Sequence, residues 1–281
     1  VNLNGASAHG AGSGPAAAAG LLGAFLRREI ATYVSYRAKA TLGVASMALS
    51  LVTFSFVGKV VAASGTGFAE RFGMSYSSFA IVGIFVHSLA CSGLHAFRAA
   101  VRREQLQGTL EQLLAGRMRA PIVVLAAGLP EVALRAVLGA ALMVGVAAVL
   151  RIALPITPAL VAATLLYLAI TTGAGLASAG FVLVSKEGDP VSWIFGGASG
   201  LLGGVFFPVE MLPSWLRSAA RLLPTTHALA LARFGVGDNA EAAGSPLAYL
   251  LGAAPLSLAA GVLMLTWGLN RARRDGTLGH Y

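Results

Sequence analysis

His87, Cys91 and His95 stand four residues apart, so on a helix they form one stripe of possible metal ligands. Residues eight apart are separated by about 12 Å along a helix, and no carboxylate accompanies them, so one ion is beyond the reach of all three. No metal site is expected. Gly197, Ala198, Ser199 and Gly200 have the Gly-x-Ser-Gly spacing of a serine nucleophile. That chemistry needs a histidine on a neighbouring helix to take the serine proton, and the last apolar run of the chain contains none. Glu131 and Arg135 are the ionisable residues deepest in an apolar run, and their spacing lets them pair along one helix face. Two readings stand for them: a structural ion pair, or a part of a substrate path or gate. There is no Gly-x-x-x-x-Gly-Lys-Ser/Thr loop, since Gly58 and Lys59 are followed by Val60. Asp189, Asp238 and Asp275 are too scattered to hold Mg²⁺ together. No catalytic residue, cofactor or nucleotide is therefore assigned to this chain.

The elements that must position these residues are hydrophobic. The 281 residues are 57% hydrophobic and 11% charged, with a mean hydropathy of +0.77, which makes lipid rather than water the main solvent. A formal net charge of +9 would suggest nucleic acid in a soluble protein. Here the basic residues cluster between apolar runs and report topology, so no nucleic-acid partner is expected. Cys91 is the single cysteine, which excludes an intrachain disulfide.

A bilayer core needs roughly 20 apolar helical residues. Six runs of that order predict an all-α polytopic membrane protein with spans at about 41–63, 76–97, 120–150, 157–184, 191–208 and 247–269. The third and fourth are longer than a perpendicular helix needs, so tilt or extension beyond the membrane is expected. With both termini inside, thirteen of the 20 Lys and Arg residues lie on the cytoplasmic side and six on the other, leaving Arg135 within the third span. Both termini are predicted to be cytoplasmic. Residues 1–20, rich in Ala, Gly and Ser, read as a flexible tail without the charged start of a signal peptide, and 271–281 as a cytoplasmic tail. Between them lie a helix over 21–39 and a permease domain over 40–270. In the former, Leu22, Phe25, Leu26, Ile30, Tyr33 and Val34 oppose Arg27, Arg28 and Glu29, the pattern of an amphipathic helix on the inner membrane surface.

Between the second and third spans the chain runs Arg103, Glu104, Gln105, Leu106, Gln107, Gly108, Thr109, Leu110, Glu111, Gln112, Leu113, Leu114. Leu106, Leu110, Leu113 and Leu114 form one apolar face of a short cytoplasmic helix flanked by charges. After the fifth span come Phe206, Phe207, Pro208, Val209, Glu210, Met211, Leu212, Pro213, Ser214, Trp215 and then Leu223, Pro224, Thr225, Thr226, His227. Pro208 and Pro213 interrupt the helix and Pro213 suits the first turn of a new one. Both stretches resemble the ABC type 2 export permeases, and with the six-span layout the resemblance covers residues 21–270.

The resemblance implies that the helix at 104–115 couples to a cytoplasmic ATPase through Arg103, Glu104, Gly108, Thr109, Leu110, Glu111 and Gln112. It implies re-entrant outer helices around Pro208, Glu210, Pro213, Trp215, Pro224 and His227. It further implies two copies of a separate ATPase carrying ATP and Mg²⁺, a dimer with itself or a similar permease, and a bacterial inner membrane. Gly196, Gly200 and Gly204 leave one face of the fifth span bare, for close helix contact, at the dimer or beside a pathway lined by His87, Ser88 and Cys91. The expected activity is ATP-driven export of a hydrophobic small molecule or lipid-like substrate. Export of lipid-linked polysaccharide is the alternative, weakened by the few aromatics in the spans. An intramembrane serine protease, the class that residues 197–200 resemble, is the most distant reading.

Overall fold

The computed structural model describes residues 15–35, 37–65, 67–108, 120–154, 156–185, 189–234 and 244–274. Every element among them is helical: α1 (Pro15–Ser35), α2 (Arg37–Ala63), α3 (Phe68–Phe72), α4 (Tyr76–Leu106), α5 (Ala120–Leu150), α6 (Pro158–Ser185), α7 (Pro190–Leu202), α8 (Ser214–Ala220), α9 (Pro224–Ala232) and α10 (Gly244–Arg274). Five of these, α2, α4, α5, α6 and α10, are long and apolar enough to cross a membrane. The protein is thus a multi-pass membrane protein.

Three boundaries differ from the sequence reading. The first helix begins at Pro15, inside the stretch read as tail, because Pro15 suits a first turn and Ala16 to Ala19 are the best helix formers. The second span does not stop near residue 97 but runs to Leu106. It ends where Gly108 takes a left-handed φ of 66° and its N–H returns to the Gln105 carbonyl. The apolar run 191–208 forms a helix only over Pro190–Leu202, about 20 Å at the usual rise and short of a 30 Å core. Its middle is a π-helical turn, Trp193–Ala198. Gly204, at φ 83°, turns the chain out of it, and Pro208 continues extended.

α4 and α6 form the centre of the bundle: 78% and 56% of their most apolar stretches are buried, against 17–22% for α2, α5 and α10. The outer three turn Leu49, Val60, Val137, Val149, Leu256 and Leu263 outward, as helices solvated by lipid do. Small residues let the central helices meet. A Cβ on Gly93 would press on Thr171, and one on Gly175 on the Gly93 and Leu94 carbonyls. The closest pairing joins α6 to α10. Cβ atoms on Gly173 and Gly180 would strike the backbone at Ser257 and at Met264, and ones on Gly261 and Gly268 the carbonyls of Gly173 and Gly180.

Antiparallel connections put the start of α2, the end of α4 and the start of α5 at one end, here termed the basic end. α3, α8 and α9 lie at the other, the cap end.

Candidate functional site

At the basic end, α1 crosses the ends of α4 and α5. Phe25 packs with Ala100, Ala126 and Ala127, which brings the charged residues beside it into register. Arg28 Nη1 donates to Glu104 Oε1 at 2.8 Å, and Arg103 Nη1 to Glu29 Oε2 at 3.2 Å. Arg103 also stands 3.6 Å from Glu131, which accepts from Arg135 at 2.8 Å. Glu29, Glu104 and Glu131 are all buried, where a carboxylate requires a cationic partner.

This geometry changes two expectations. Arg28 and Glu29, read as the water-facing side of an amphipathic helix, turn inward, while Leu22, Leu26 and Ile30 stay exposed. Arg103 and Glu104 occupy the last turns of α4 and are held by α1 rather than opening a separate helix at 104. Thr109, Leu110, Glu111 and Gln112 lie outside the described residues. Glu131 lies toward the basic end of α5, nineteen residues and about 28 Å of helix from Leu150 at its far end. A cavity of about 980 Å³ opens above this cluster, lined by α1, α2, α4 and α5, with Ser88 among its walls.

On the opposite face of α4, His87 Nε2 lies 3.5 Å from Cys91 Sγ. A Cβ on Gly200 would meet His87 Nε2 at 2.9 Å, and one on Gly196 would touch the Cys91 sulfur at 4.0 Å. Two of the three glycines therefore seat α7 on α4 of the same chain. Gly204 is the turn rather than part of the stripe. His95 departs from the histidine stripe to contact Arg98 Nη2 at 3.1 Å. Among the described residues no three His, Cys, Asp or Glu groups converge as for a metal ion. Ser199 is fully buried and donates to the Ile194 carbonyl at 3.3 Å.

Asp189 joins three elements at the basic end. It accepts from Arg98 of α4 and from Ser178 of α6, each at 2.7 Å, and caps α7 through the Ser192 N–H at 3.0 Å. Burial acts to raise its pKa, but the hydrogen bonds from Ser192 and Ser178 and the charge of Arg98 outweigh it and hold the carboxyl below its ordinary value.

The cap end explains the Pro-Thr-Thr-His stretch. Pro224 starts α9. Thr225 is fully buried and hydrogen-bonded to Tyr167 at 2.5 Å. Thr226 donates to the Ala220 carbonyl at 2.6 Å, and His227 Nε2 bonds the Arg221 carbonyl at 2.8 Å, so both close the end of α8. The His227 ring stacks on Tyr249 of α10 at 3.9 Å. Pro213 precedes α8, where Trp215 is exposed, and Arg217 ties the Glu210 and Leu212 carbonyls. Arg233, which sequence reasoning left among the loop charges, is the residue that holds the cap. Its nitrogens donate to the Gly204 carbonyl at 2.9 Å, Phe79 at 3.0 Å and Val205 at 3.3 Å. Burial depresses its pKa to about 9, with Glu210 acting the other way, so it stays charged at neutral pH. Gly83 makes the room, since a Cβ there would strike the Val205 carbonyl and Arg233.

Residues 21–236 match the family model of the ABC-2 type transporter. No curated protein matches the chain.

Proposed function

The chain belongs to the ABC-2 type transporter family and is a permease subunit of an ABC transporter, and from that premise we propose that it exports a hydrophobic small molecule or lipid-like substrate, driven by ATP hydrolysed on a separate subunit. α7 serves as the short fifth of six passes, completed by the turn at Gly204. The excess of Lys and Arg at the basic end supports a cytoplasmic side for that end and both termini, and the membrane is read as a bacterial inner membrane. Two such chains, or this one and a similar partner, assemble with two ATPase subunits that carry ATP and Mg²⁺.

The observation that carries this reading is the anchoring of the end of α4. Arg103 and Glu104, just before Gly108, are tied to α1 and α5. A push on residues 108–115 by a closing ATPase is therefore delivered to α4, the most buried helix of the bundle. α4 carries it to α7, seated on His87 and Cys91. The mechanism is conformational gating, without bond chemistry in this chain.

Co-reconstitution with the cognate ATPase tests it. Glu111→Ala combined with Gln112→Ala is expected to weaken ATPase association or to separate hydrolysis from transport, with the permease folded. Unchanged association and coupled transport in that variant would sink the proposal.

A further inference from the structure

The cavity at the basic end changes character along its length. Arg28, Glu29, Arg103, Glu131 and Arg135 line one end, and Met47, Ile84, Phe85, Leu138 and Leu142 line the rest. Ser46, Ser50, Ser88 and Ser92 add hydroxyls to the wall, but each donates to a carbonyl of its own helix. The upper wall therefore makes no polar demand on an occupant.

Depth and charge narrow what fits. Along α5 the lining runs from Glu131 to Leu142, eleven residues and about 16 Å, and along α4 from Gln107 to Ile84, twenty-three residues and about 34 Å. From its charged end the cavity is at least one leaflet, about 15 Å, deep. Its charged end sets Arg28, Arg103 and Arg135 against Glu29 and Glu131, and Glu104 behind the lining pairs with Arg28, so the cluster carries both signs in balance. The Arg135 side chain stays 43% exposed beside Glu131, and Arg28 Nε is buried with no hydrogen-bond partner among the described residues. α1, beside this end, offers Leu22, Leu26 and Ile30 to the membrane.

We propose that this cavity binds one zwitterionic phospholipid of the cytoplasmic leaflet. Its phosphate sits among Arg28, Arg103 and Arg135, its amine faces Glu29 and Glu131, and an acyl chain follows Met47, Phe85 and Leu142 toward the midplane. Basic side chains between spans on the cytoplasmic side bind lipid phosphates, and the two glutamates beside them favour a headgroup that also carries an amine. A wholly apolar occupant would offer nothing to Arg28 Nε or to the exposed part of Arg135. The assignment rests on the orientation proposed above.

The test uses the full chain in liposomes with a phosphatidylethanolamine bearing a photoreactive diazirine near the end of one acyl chain. Crosslinks should fall on peptides carrying Met47, Phe85 and Leu142 about tenfold more often than on Leu256 and Leu263 of α10, the ratio given by a 1.4 kcal/mol preference over bulk lipid. Ser88→Trp, which fills the cavity, should remove the excess and leave labelling of α10 unchanged. If that variant does not fold, Leu138→Trp at the cavity wall provides the same reading. Excess unlabelled phosphatidylethanolamine should compete, and diacylglycerol, which lacks the charged head, should not. Equal labelling of cavity and α10, labelling indifferent to both tryptophans, or equal competition by diacylglycerol overturns the proposal. The assay needs neither ATP nor transport. A labelled chain that supports no ATP-driven transport would refute the exporter and keep the lipid site, and a transporting chain with an unlabelled cavity would do the reverse.

Discussion

The Arg233 guanidinium carbon lies 3.3 Å from the centre of the Phe79 ring, with residues 154 apart in the chain joined by a hydrogen bond from Arg233 to the Phe79 carbonyl. One planar cation thus holds the start of α4 and the turn that ends α7. Lysine has neither the fork nor the flat face for this. Arg233→Lys is expected to lower stability by about 2–4 kcal/mol, because buried carbonyls lose their donors. Thermal unfolding of purified protein in detergent measures it, and a wild-type midpoint would count against the role given to Arg233.

The ion pairs at the basic end should show charge-swap rescue. Arg28→Glu and Glu104→Arg each bring like charges together, and the double variant restores the attraction with its sign reversed. Arg28 is 37% exposed on its side chain, so the recovered coupling should be modest, about 1 kcal/mol. A double-mutant cycle on unfolding provides the number. Additive losses without recovery would show that the pair is incidental.

Glycine substitutions should divide sharply by helix. Gly173→Ala and Gly180→Ala drive a methyl into the backbone of α10 and should cost about 1–3 kcal/mol as the helices separate. Gly145→Ala on α5 meets nothing within 4 Å, and should be neutral or stabilising by up to about 1 kcal/mol. Parallel unfolding measurements on the three variants compare them directly, and equal effects would refute the packing argument.

Acid should release the joint at Asp189. Its folded pKa lies below the ordinary value of 3.8, so the carboxylate contributes stability at pH above that value and loses it as pH falls through the folded pKa. Between pH 5 and pH 8 the contribution is constant. Asp189→Asn should be less stable than wild type across that window, with the gap narrowing below about pH 4. A gap that persists unchanged into acid would mean that the charge is not what joins Arg98, Ser178 and Ser192.

Most long helices were legible because a span is written as an unbroken apolar run, which composition reveals. The family resemblance was legible in two short stretches, and the match over residues 21–236 covers both. Burial of Glu29 and the inward turn of Arg28 were not, since an amphipathic pattern assigns charges to water and cannot foresee that Arg103 and Glu104 arrive from 74 and 76 residues away to meet them. Arg233 was hidden for the same reason, because its partners are carbonyls and leave no mark on sequence. The α6 and α10 glycines were readable, with Gly173 and Gly180 seven apart and Gly261 and Gly268 seven apart. A period of seven, two helical turns, clears one helix face as the period of four does in the fifth span. The stopping point of α7 required Gly204 to be recognised as a left-handed turn rather than as a third member of that stripe.

The glycine seam between α6 and α10 also constrains how such a protein works. Where helices meet backbone to backbone few side chains lie between them, and Ser257 adds a hydrogen bond across the seam to the Ile170 carbonyl at 2.7 Å. The pair therefore behaves as a stator. Motion during a transport cycle is then expected around that pair, in α4 with α7 and in α1, α2 and α5, where long ionic side chains and the cavity tolerate displacement.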